Sequence, residues 1–203
     1  MDRNENLRRV VERTEPWDIV VIGGGATGAG CALDAASRGY SVLLLEQHDF
    51  GKGTSSRSTK LIHGGVRYLK QGNISLVRES LRERGLLLKN APHVVHKLGF
   101  VIPCYSLWEK VMYGFGMKIY DALAGNFSIG RSRILDRGEV VERLPNIESK
   151  DLKGGVLYYD GQFDDSRLLI DILRTAGNHG AVALNYAKVT SIAKGADGCI
   201  DGV

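Results

Sequence analysis

One segment restricts the fold of this chain more than any other, a short apolar run that ends abruptly in glycines. Residues 17–22 are rich in β-branched side chains and lead directly into a turn with glycine at 23, 24, 25 and 28. Residues 27–38 are rich in alanine, and Gly39 follows where a helix C-terminal glycine belongs. Residues 42–45 are a second apolar run. Strand, turn, helix and strand within about 30 residues predict a βαβ unit with buried parallel strands.

The spacing of the glycines predicts what this turn holds. Gly23 is expected to permit the tight turn, Gly25 to let a pyrophosphate approach the backbone, and Gly28 to let the helix pack on the strand. The N-terminus of the helix, at Ala26 and Thr27, then offers free N–H groups and a partial positive charge to phosphates. The pattern therefore predicts a dinucleotide-binding turn.

The acid at the end of the second strand narrows the choice of dinucleotide. Glu46 lies 18 residues after Gly28, so its carboxylate is expected to accept both hydroxyls of an unphosphorylated ribose. NADP is thereby disfavoured. The alternative is a glycine-rich turn without a ligand, and the agreement of strand, helix, small packing residues and terminal acid argues against it. The motif by itself does not separate NAD from FAD.

The rest of the chain alternates further helix and strand signals. Asn73 is a plausible N-cap for a helix that ends before Pro92, and Asp165 is another for a helix ending near residue 179. Strands are predicted at 100–103, 154–160, 182–186 and 189–192, with a turn at 195–198. An apolar stripe at 108, 111, 112, 115, 119 and 123 predicts a helix. We expect that stripe to be buried in preference to lying on a membrane surface, because the polar side of the helix carries no net charge.

Charge is concentrated in one part of the chain. Residues 51–97 carry ten Lys or Arg against two acids, a net charge of +8 in a chain whose total is +4. The positive electrostatic field of such a segment would attract an anionic ligand or an anionic membrane surface. A nucleic-acid partner is not expected, since no nucleic-acid motif accompanies the charge. The three cysteines show no paired spacing, so neither a disulfide framework nor a metal site is predicted, and a reducing compartment is favoured.

A second segment, residues 53–69, combines hydroxyls, glycines and cations. Thr54, Ser55 and Ser56 offer hydroxyls and backbone donors, and Gly64-Gly65 would let main chain press against a flat ring. Arg67 and Tyr68 add a planar fork and a hydroxyl suited to phosphate. From the residue types alone, a solvated surface loop remains an equally good interpretation.

Together these motifs resemble one known family. The glycine turn, with Ala32, Asp34, Arg38 and Gly39 behind it, resembles the signature of FAD-dependent glycerol-3-phosphate dehydrogenases. Residues 54–69 are similar to that family's second flavin segment, and residues 158–167 are similar to its mitochondrial-type branch. The resemblance covers residues 17–203. It implies an α/β fold, a Rossmann-like FAD-binding domain of the glutathione-reductase type that is incomplete at its C-terminus, with part of a substrate or cap region.

The resemblance also implies an arrangement of domains and roles for individual residues. Residues 1–16 would be a flexible arm, 17–90 and 160–203 the FAD-binding domain, and 91–159 the substrate or cap region. Arg67 and Tyr68 would bind the substrate phosphate. His63 is a candidate for the catalytic base, the alternative being a histidine that only hydrogen-bonds the cofactor or a carbonyl. The residues that the resemblance assigns to FAD are Gly23, Gly25, Ala26, Thr27, Gly28, Glu46, Gln47, Thr54, Ser55, Ser56, Lys60, Leu61, His63 and Val189.

The activity implied by the resemblance is oxidation of sn-glycerol 3-phosphate to dihydroxyacetone phosphate, with hydride transfer from C2 to flavin N5 and electrons passed to a membrane quinone. The protein would be cytoplasmic and peripherally attached to the inner face of the cell membrane, or to the mitochondrial inner membrane in a eukaryote. A homodimer is left open. So are an oxidase that uses oxygen and a non-catalytic FAD-binding module.

The last predicted strand breaks off at Val203, so we expect the chain to be the front part of a longer protein. The family's later flavin strand and its remaining substrate-binding residues have no counterpart here. For that reason, the 203 residues alone are expected to bind FAD weakly and to lack dehydrogenase activity.

Overall fold

The structure is a computed structural model that describes residues 2–203, with Lys70 described by its backbone only. It consists of two compact units, the first made of the residues up to Thr59 together with Asp165–Val203, the second of Lys60–Asp164. The elements in chain order are α1 (Arg3–Val11), β1 (Ile19–Ile22), α2 (Ala26–Ser37), β2 (Val42–Leu45), β3 (Leu61–Ile62), α3 (Val66–Lys70), α4 (Ile74–Asn90), β4 (Val95–Cys104), α5 (Leu107–Ala124), β5 (Arg133–Leu135), α6 (Arg137–Arg143), β6 (Gly154–Phe163), α7 (Asp165–Asn178), β7 (Val182–Leu184), β8 (Ala193–Lys194) and β9 (Ile200–Gly202).

The first unit contains the predicted βαβ fold. Strands β1, β2 and β7 form a parallel sheet in that order, with β2 in the middle. Val42 and Leu44 of β2 are fully buried, as expected for the central strand of a parallel sheet. Helices α2 and α7 pack against this core through small and aliphatic side chains, namely Ala29, Ala32, Ala36, Leu169, Leu173 and Ala176.

The N-terminal residues differ from the predicted flexible arm. Asp2 caps helix α1 by accepting from the backbone of residues 4 and 5. The helix lies along the edge strand β7, where the buried Asn6 side chain donates to the Ala183 carbonyl at 3.0 Å. Arg3 and Arg9 donate to the carbonyls of Asn185 and Gly180. Side chains at a spacing of three residues thus satisfy carbonyls of β7 and of the residues that flank it, and this order is not visible in a polar, mixed-charge sequence.

The second unit is built on an antiparallel sheet around β6. Strand β4 pairs with β6 over its full ten residues, from Val95↔Phe163 to Cys104↔Gly154. The short strands β3 and β5 pair with β6 as well. Side chains of β6 alternate between two cores, because Val156 packs against α4 and α5 whereas Leu157 packs against α6.

The boundaries of the units differ from those expected from the sequence. The second unit begins at Lys60, not at 91, and ends at Asp164, not at 159. The reason is the pairing of β3 with β6 and the packing of α4 under the same sheet, which join residues 60–90 to the second unit. Long-range pairing of a two-residue strand leaves no periodic signal in a sequence.

Two other expectations are corrected by the structure. Residues 189–192 form no strand, and β8 begins only at Ala193 and pairs with β9 around the predicted turn at 195–198. The apolar stripe of α5 is not buried, since the side chains of Trp108 and Phe115 are 73% and 69% exposed. The opposite face packs into the core instead, through Gly114, Met117, Tyr120 and Ala124. Because α5 is apolar on both sides, periodicity alone chose the wrong face.

No helix within residues 2–203 combines the length and the apolar character that crossing a bilayer requires.

Candidate functional site

The glycine turn of the first unit has the geometry that its sequence predicts. Gly23 adopts φ +113°, and its N–H donates to the Leu45 carbonyl at 2.8 Å. A Cβ added to Gly28 would lie 2.0 Å from the Gly23 carbonyl oxygen, so only glycine lets α2 approach β1 this closely. Gly25, in contrast, has nothing within 4 Å of an added Cβ and is therefore open to a ligand.

Helix α2 starts at this turn with its first donors uncapped. Gly25 occupies the N-cap position and makes no side-chain capping hydrogen bond. The leading N–H groups of an α-helix have no partner within the helix. Ala26 and Thr27 therefore present their backbone donors, and the positive end of the helix dipole, at the open side of the turn.

Glu46 is held rigidly beside the turn. One carboxylate oxygen accepts from Gly24 N and the other from His48 N, both at 2.7 Å. The backbone of Glu46 continues the sheet, because its N–H donates to the Leu184 carbonyl at 2.8 Å. The carboxylate is thus fixed at the carboxyl end of β2, where the sequence predicted a ribose acceptor.

Two cavities of the first unit meet at Glu46 and Gln47. The larger, of about 360 Å³, is lined by Gly25, Glu46, Gln47, His48, Gly51, Lys52, Gly53 and Arg57. The smaller, of about 210 Å³, is lined by Ile22, Gly23, Leu45, Glu46, Gln47, Ala187, Lys188 and Val189. The structure therefore brings Gly23, Gly25, Glu46, Gln47 and Val189 together around these two cavities, and their contacts with a cofactor stay a prediction. The sequence interpretation missed the basic lining at Lys52, Arg57 and Lys188, although two of these three lie in the basic segment.

The predicted phosphate hydroxyls at 54–56 lie in a short 3₁₀ turn. Ser55 is buried, and its carbonyl accepts from the Ser166 hydroxyl of α7 at 2.9 Å. The Ser56 hydroxyl donates back to the carbonyls of Lys52 and Gly53. Helix α7 thereby anchors the turn, and the Ser56 hydroxyl is engaged by backbone. Contacts of Thr54, Ser55 and Ser56 with a phosphate stay a prediction.

The second unit contains a cavity of about 360 Å³ that collects the other predicted residues. It is lined by Leu61, His63, Gly65, Val66, Arg67, Tyr68, Phe100, Tyr158 and Asp160. Lys60 lies just before β3 with φ +60°, and its carbonyl accepts from Phe163 N. His63 and Arg67 are exposed, so both remain accessible from this cavity. The sequence interpretation missed Phe100, Tyr158 and Asp160 as lining residues, although it had singled out 158–160 as part of a family-like segment.

Directly behind this cavity lies a buried polar cluster. Asp160 Oδ1 accepts from Arg84 Nη1 at 2.5 Å, from the Tyr120 hydroxyl at 2.8 Å and from Gly64 N at 3.1 Å. Arg84, Tyr120 and Asp160 are each at most 3% exposed. Burial, and then the adjacent Asp160 carboxylate, raises the pKa of the Tyr120 hydroxyl far above its usual value, so this phenol remains a hydrogen-bond donor.

The cluster explains the Gly64-Gly65 pair in a way the sequence did not suggest. A Cβ at Gly64 would lie 2.2 Å from the Tyr120 hydroxyl and 2.4 Å from Leu81, so glycine here permits contact with the protein's own core. Gly65 has φ +77°, a left-handed conformation, and is the N-cap of α3. Helix α3 then carries Arg67 and Tyr68 into the cavity. In residues 2–203, no three His, Cys, Asp or Glu side chains are grouped as metal ligands.

Comparison with known proteins identifies the family. Residues 18–203 match the family described as FAD dependent oxidoreductase, DAO. The chain belongs to this family. Its predicted fold class and its cofactor, FAD, are thereby confirmed.

The relatives of this DAO-family chain include enzymes of one named activity. It is 45% identical over 194 residues to the mitochondrial glycerol-3-phosphate dehydrogenase of Macaca fascicularis, with 92% of this chain and 27% of the relative covered. The mitochondrial enzyme of Arabidopsis thaliana is 46% identical over 190 residues, with 88% and 30% covered. The crystal structure of the glycerol-3-phosphate dehydrogenase from Bacillus halodurans complexed with FAD matches at 35% identity and a TM-score of 0.68, with 96% and 31% covered. The chain thus spans less than a third of the length of these relatives.

The turn of the first unit fits the pyrophosphate of FAD. It offers uncapped helix donors and an open approach at Gly25, while the Glu46 carboxylate is held beside it by Gly24 N and His48 N. A pyrophosphate carries two negative charges, so it needs hydrogen-bond donors and open space, and the turn provides both.

A single methyl group at Gly28 should abolish this fit. We predict that Gly28→Ala forces α2 away from β1, because the new Cβ has no room beside the Gly23 carbonyl, and that the FAD content of the purified complete protein falls at least about tenfold. Flavin absorbance per protein, measured after gel filtration, is the test.

Gly30→Ala is the matched control. It lies two residues further along α2 with nothing within 4 Å of an added Cβ, so it should keep FAD and gain up to about 1 kcal/mol of helix stability. Equal FAD content in both variants would contradict the close approach at Gly28.

Proposed function

We propose that the protein carrying this chain oxidises sn-glycerol 3-phosphate to dihydroxyacetone phosphate, with FAD as the hydride acceptor and a membrane quinone as the final acceptor. The observation that carries the proposal is the 45% sequence identity to a mitochondrial glycerol-3-phosphate dehydrogenase across 92% of the chain. The cavity that holds His63, Arg67 and Tyr68 supplies the matching chemistry.

In this proposal the first unit holds the ADP half of the cofactor. The turn Gly23, Gly25 and Gly28, with the donors of Ala26 and Thr27, would bind the pyrophosphate. Glu46 and Gln47 would lie at the ribose, and backbone at Val189 would lie at the adenine, since all three line the smaller cavity. When bound, FAD supplies the two-electron acceptor for the substrate hydride, a chemistry that amino-acid side chains do not provide. The remaining contacts are assigned to the second flavin segment: Thr54, Ser55, Ser56, Lys60, Leu61 and His63.

Arg67 and Tyr68 are the proposed phosphate ligands of the substrate. The Arg67 guanidinium carbon lies 5.8 Å from the centre of the Tyr68 ring, so the two side chains lie side by side at the start of α3. A guanidinium offers a planar fork of donors that matches phosphate oxygens, and the phenol adds one further donor. Phe100 and Tyr158, whose rings are stacked with centroids 5.4 Å apart, give the cavity an apolar wall. That wall would exclude water from the carbon skeleton of the substrate.

We predict that Arg67→Gln raises the KM for sn-glycerol 3-phosphate about 10- to 100-fold, because a charge-assisted contact to phosphate is lost. The rate at saturating substrate should change much less. Arg78→Gln on the exposed side of α4 is the matched control, since it removes the same charge away from this cavity. Equal effects of the two substitutions would show that Arg67 acts only through net charge.

His63 is the proposed base for the proton of the C2 hydroxyl. It is exposed and lines the cavity with the proposed phosphate ligands. We predict that His63→Gln lowers kcat about 100-fold or more, with little change in KM and in FAD content, because general-base catalysis contributes on that scale. A loss below about tenfold, or a loss of FAD, would assign His63 to cofactor or carbonyl binding instead.

A peripheral membrane location is part of the proposal. The support is the exposed apolar side of α5, from Trp108 to Phe115, together with the net positive charge of residues 51–97. A quinone acceptor requires access to a membrane surface, and exposed aromatic and aliphatic side chains suit the boundary between headgroups and acyl chains.

The decisive experiment is turnover by the complete FAD-loaded protein with defined donors and acceptors. We predict reduction of a water-soluble quinone under anaerobic conditions that depends strictly on sn-glycerol 3-phosphate. Its mirror-image isomer should serve as a poor substrate. Equally fast reduction without the substrate would contradict the proposed activity, and faster electron transfer to oxygen than to quinone would make the protein an oxidase.

A further inference from the structure

The buried cluster behind the second-unit cavity is built around a single oxygen atom. Asp160 Oδ1 accepts from α4 through Arg84, from α5 through Tyr120 and from the loop after β3 through Gly64. A buried ion pair is weak evidence for stability, because well-packed apolar residues often serve equally well. Stability alone therefore does not explain why the Arg84–Asp160 pair is buried in an otherwise apolar core.

The Arg84 side chain points at Asp160. Its Nη1 group donates to Asp160 Oδ1 and also, at 3.0 Å, to the Tyr159 carbonyl. Its Nε is buried and has no hydrogen-bond partner within the part of the chain that the structure describes. The side chain thus leaves one of its own donors unsatisfied while its charge lies against the carboxylate.

Asp160 faces in two directions. It is held from behind by Arg84 and Tyr120, and it also lines the cavity of His63 and Arg67. Arg84 is not part of that lining. Among the described lining residues, Arg67 contributes the guanidinium and Asp160 the carboxylate. Without a counter-charge behind it, the carboxylate of Asp160 would cancel the attraction of Arg67 for a dianionic phosphate.

We propose that Arg84 is a positioning residue for phosphate binding: it neutralises Asp160 from behind, so that Arg67 remains the uncompensated cation of the cavity. Asp160 in turn anchors Gly64 N, the peptide between the proposed base His63 and the helix that carries Arg67. The inference rests on the proposed function, since it assumes that an anionic substrate enters this cavity.

Three substitutions separate an electrostatic role from a merely structural one. Arg84→Met removes the charge and should weaken phosphate binding about tenfold. Asp160→Asn removes the negative charge but keeps an oxygen for Gly64 N, so binding should be unchanged or tighter. Arg84→Met combined with Asp160→Asn should return binding to within about threefold of the parent protein, because both charges are gone.

The measurement is the Kd of inorganic phosphate for the complete FAD-loaded protein, by calorimetric titration at a pH above the second pKa of phosphate. Unfolding temperature and FAD content are recorded for each variant. Arg82→Met, an exposed arginine two residues earlier on α4, is the matched control and should leave the Kd unchanged. If Arg84→Met alone does not fold, Asp160→Asn and the double variant still test the sign of the effect.

The outcomes are distinct. Weakened binding in all three variants, in parallel with lower unfolding temperature, would overturn the inference and leave the cluster a structural one. The same conclusion would follow if Arg84→Met matched Arg82→Met. If the parent protein itself bound no phosphate and oxidised no sn-glycerol 3-phosphate, the proposed function would fail first. The KM for sn-glycerol 3-phosphate should follow the phosphate Kd across the series.

Discussion

At Gly28 helix α2 lies so close to the end of β1 that a Cβ would stand 2.0 Å from the Gly23 carbonyl oxygen. The arrangement of the first unit depends on this approach. The small side chains Ala29, Ala32 and Ala36 continue it along the helix and let α7 pack on the same core. The approach also aims the free N–H groups of α2 at the carboxyl end of the sheet, where Glu46 is held. The close approach at Gly28 therefore determines both how α2 packs on the sheet and where its free N–H groups point.

The second unit depends in a comparable way on the Asp160 carboxylate. Strand β6, helices α4 and α5 and the loop after β3 all meet at Oδ1 of this residue. These elements come from widely separated parts of the chain: β6 carries the acceptor, and α4, α5 and the loop each contribute one donor. A buried carboxylate is tolerated only with such partners, so the residues that stabilise it also determine where Gly64 lies. The neighbours of Gly64 in the chain, His63 and Gly65, both line the proposed substrate cavity.

Much of the first unit follows from local sequence, because each of its parts requires a particular residue. The positive φ of Gly23 and the absence of a Cβ at Gly28 need glycine, and the central strand β2 is apolar throughout. The second unit was predicted less well. Its strands β3 and β5 have two and three residues, too few to show a period, and they are strands only because β6 lies beside them. The position of helix α1 depends likewise on contacts with β7.

The sequence by itself determined the parts of this protein in which a residue acts on its near neighbours: the turn 23–28, the acid after β2, the helix cap at Asn73 and the family to which these motifs belong. Only the tertiary structure decided which side of α5 packs, that Phe100 and Tyr158 form the wall of a cavity, and that Arg84 pairs with Asp160 across 76 positions. The physical reason is that such contacts depend on strand register and helix rotation. Both are set by the whole core, and a single segment carries too little of that information.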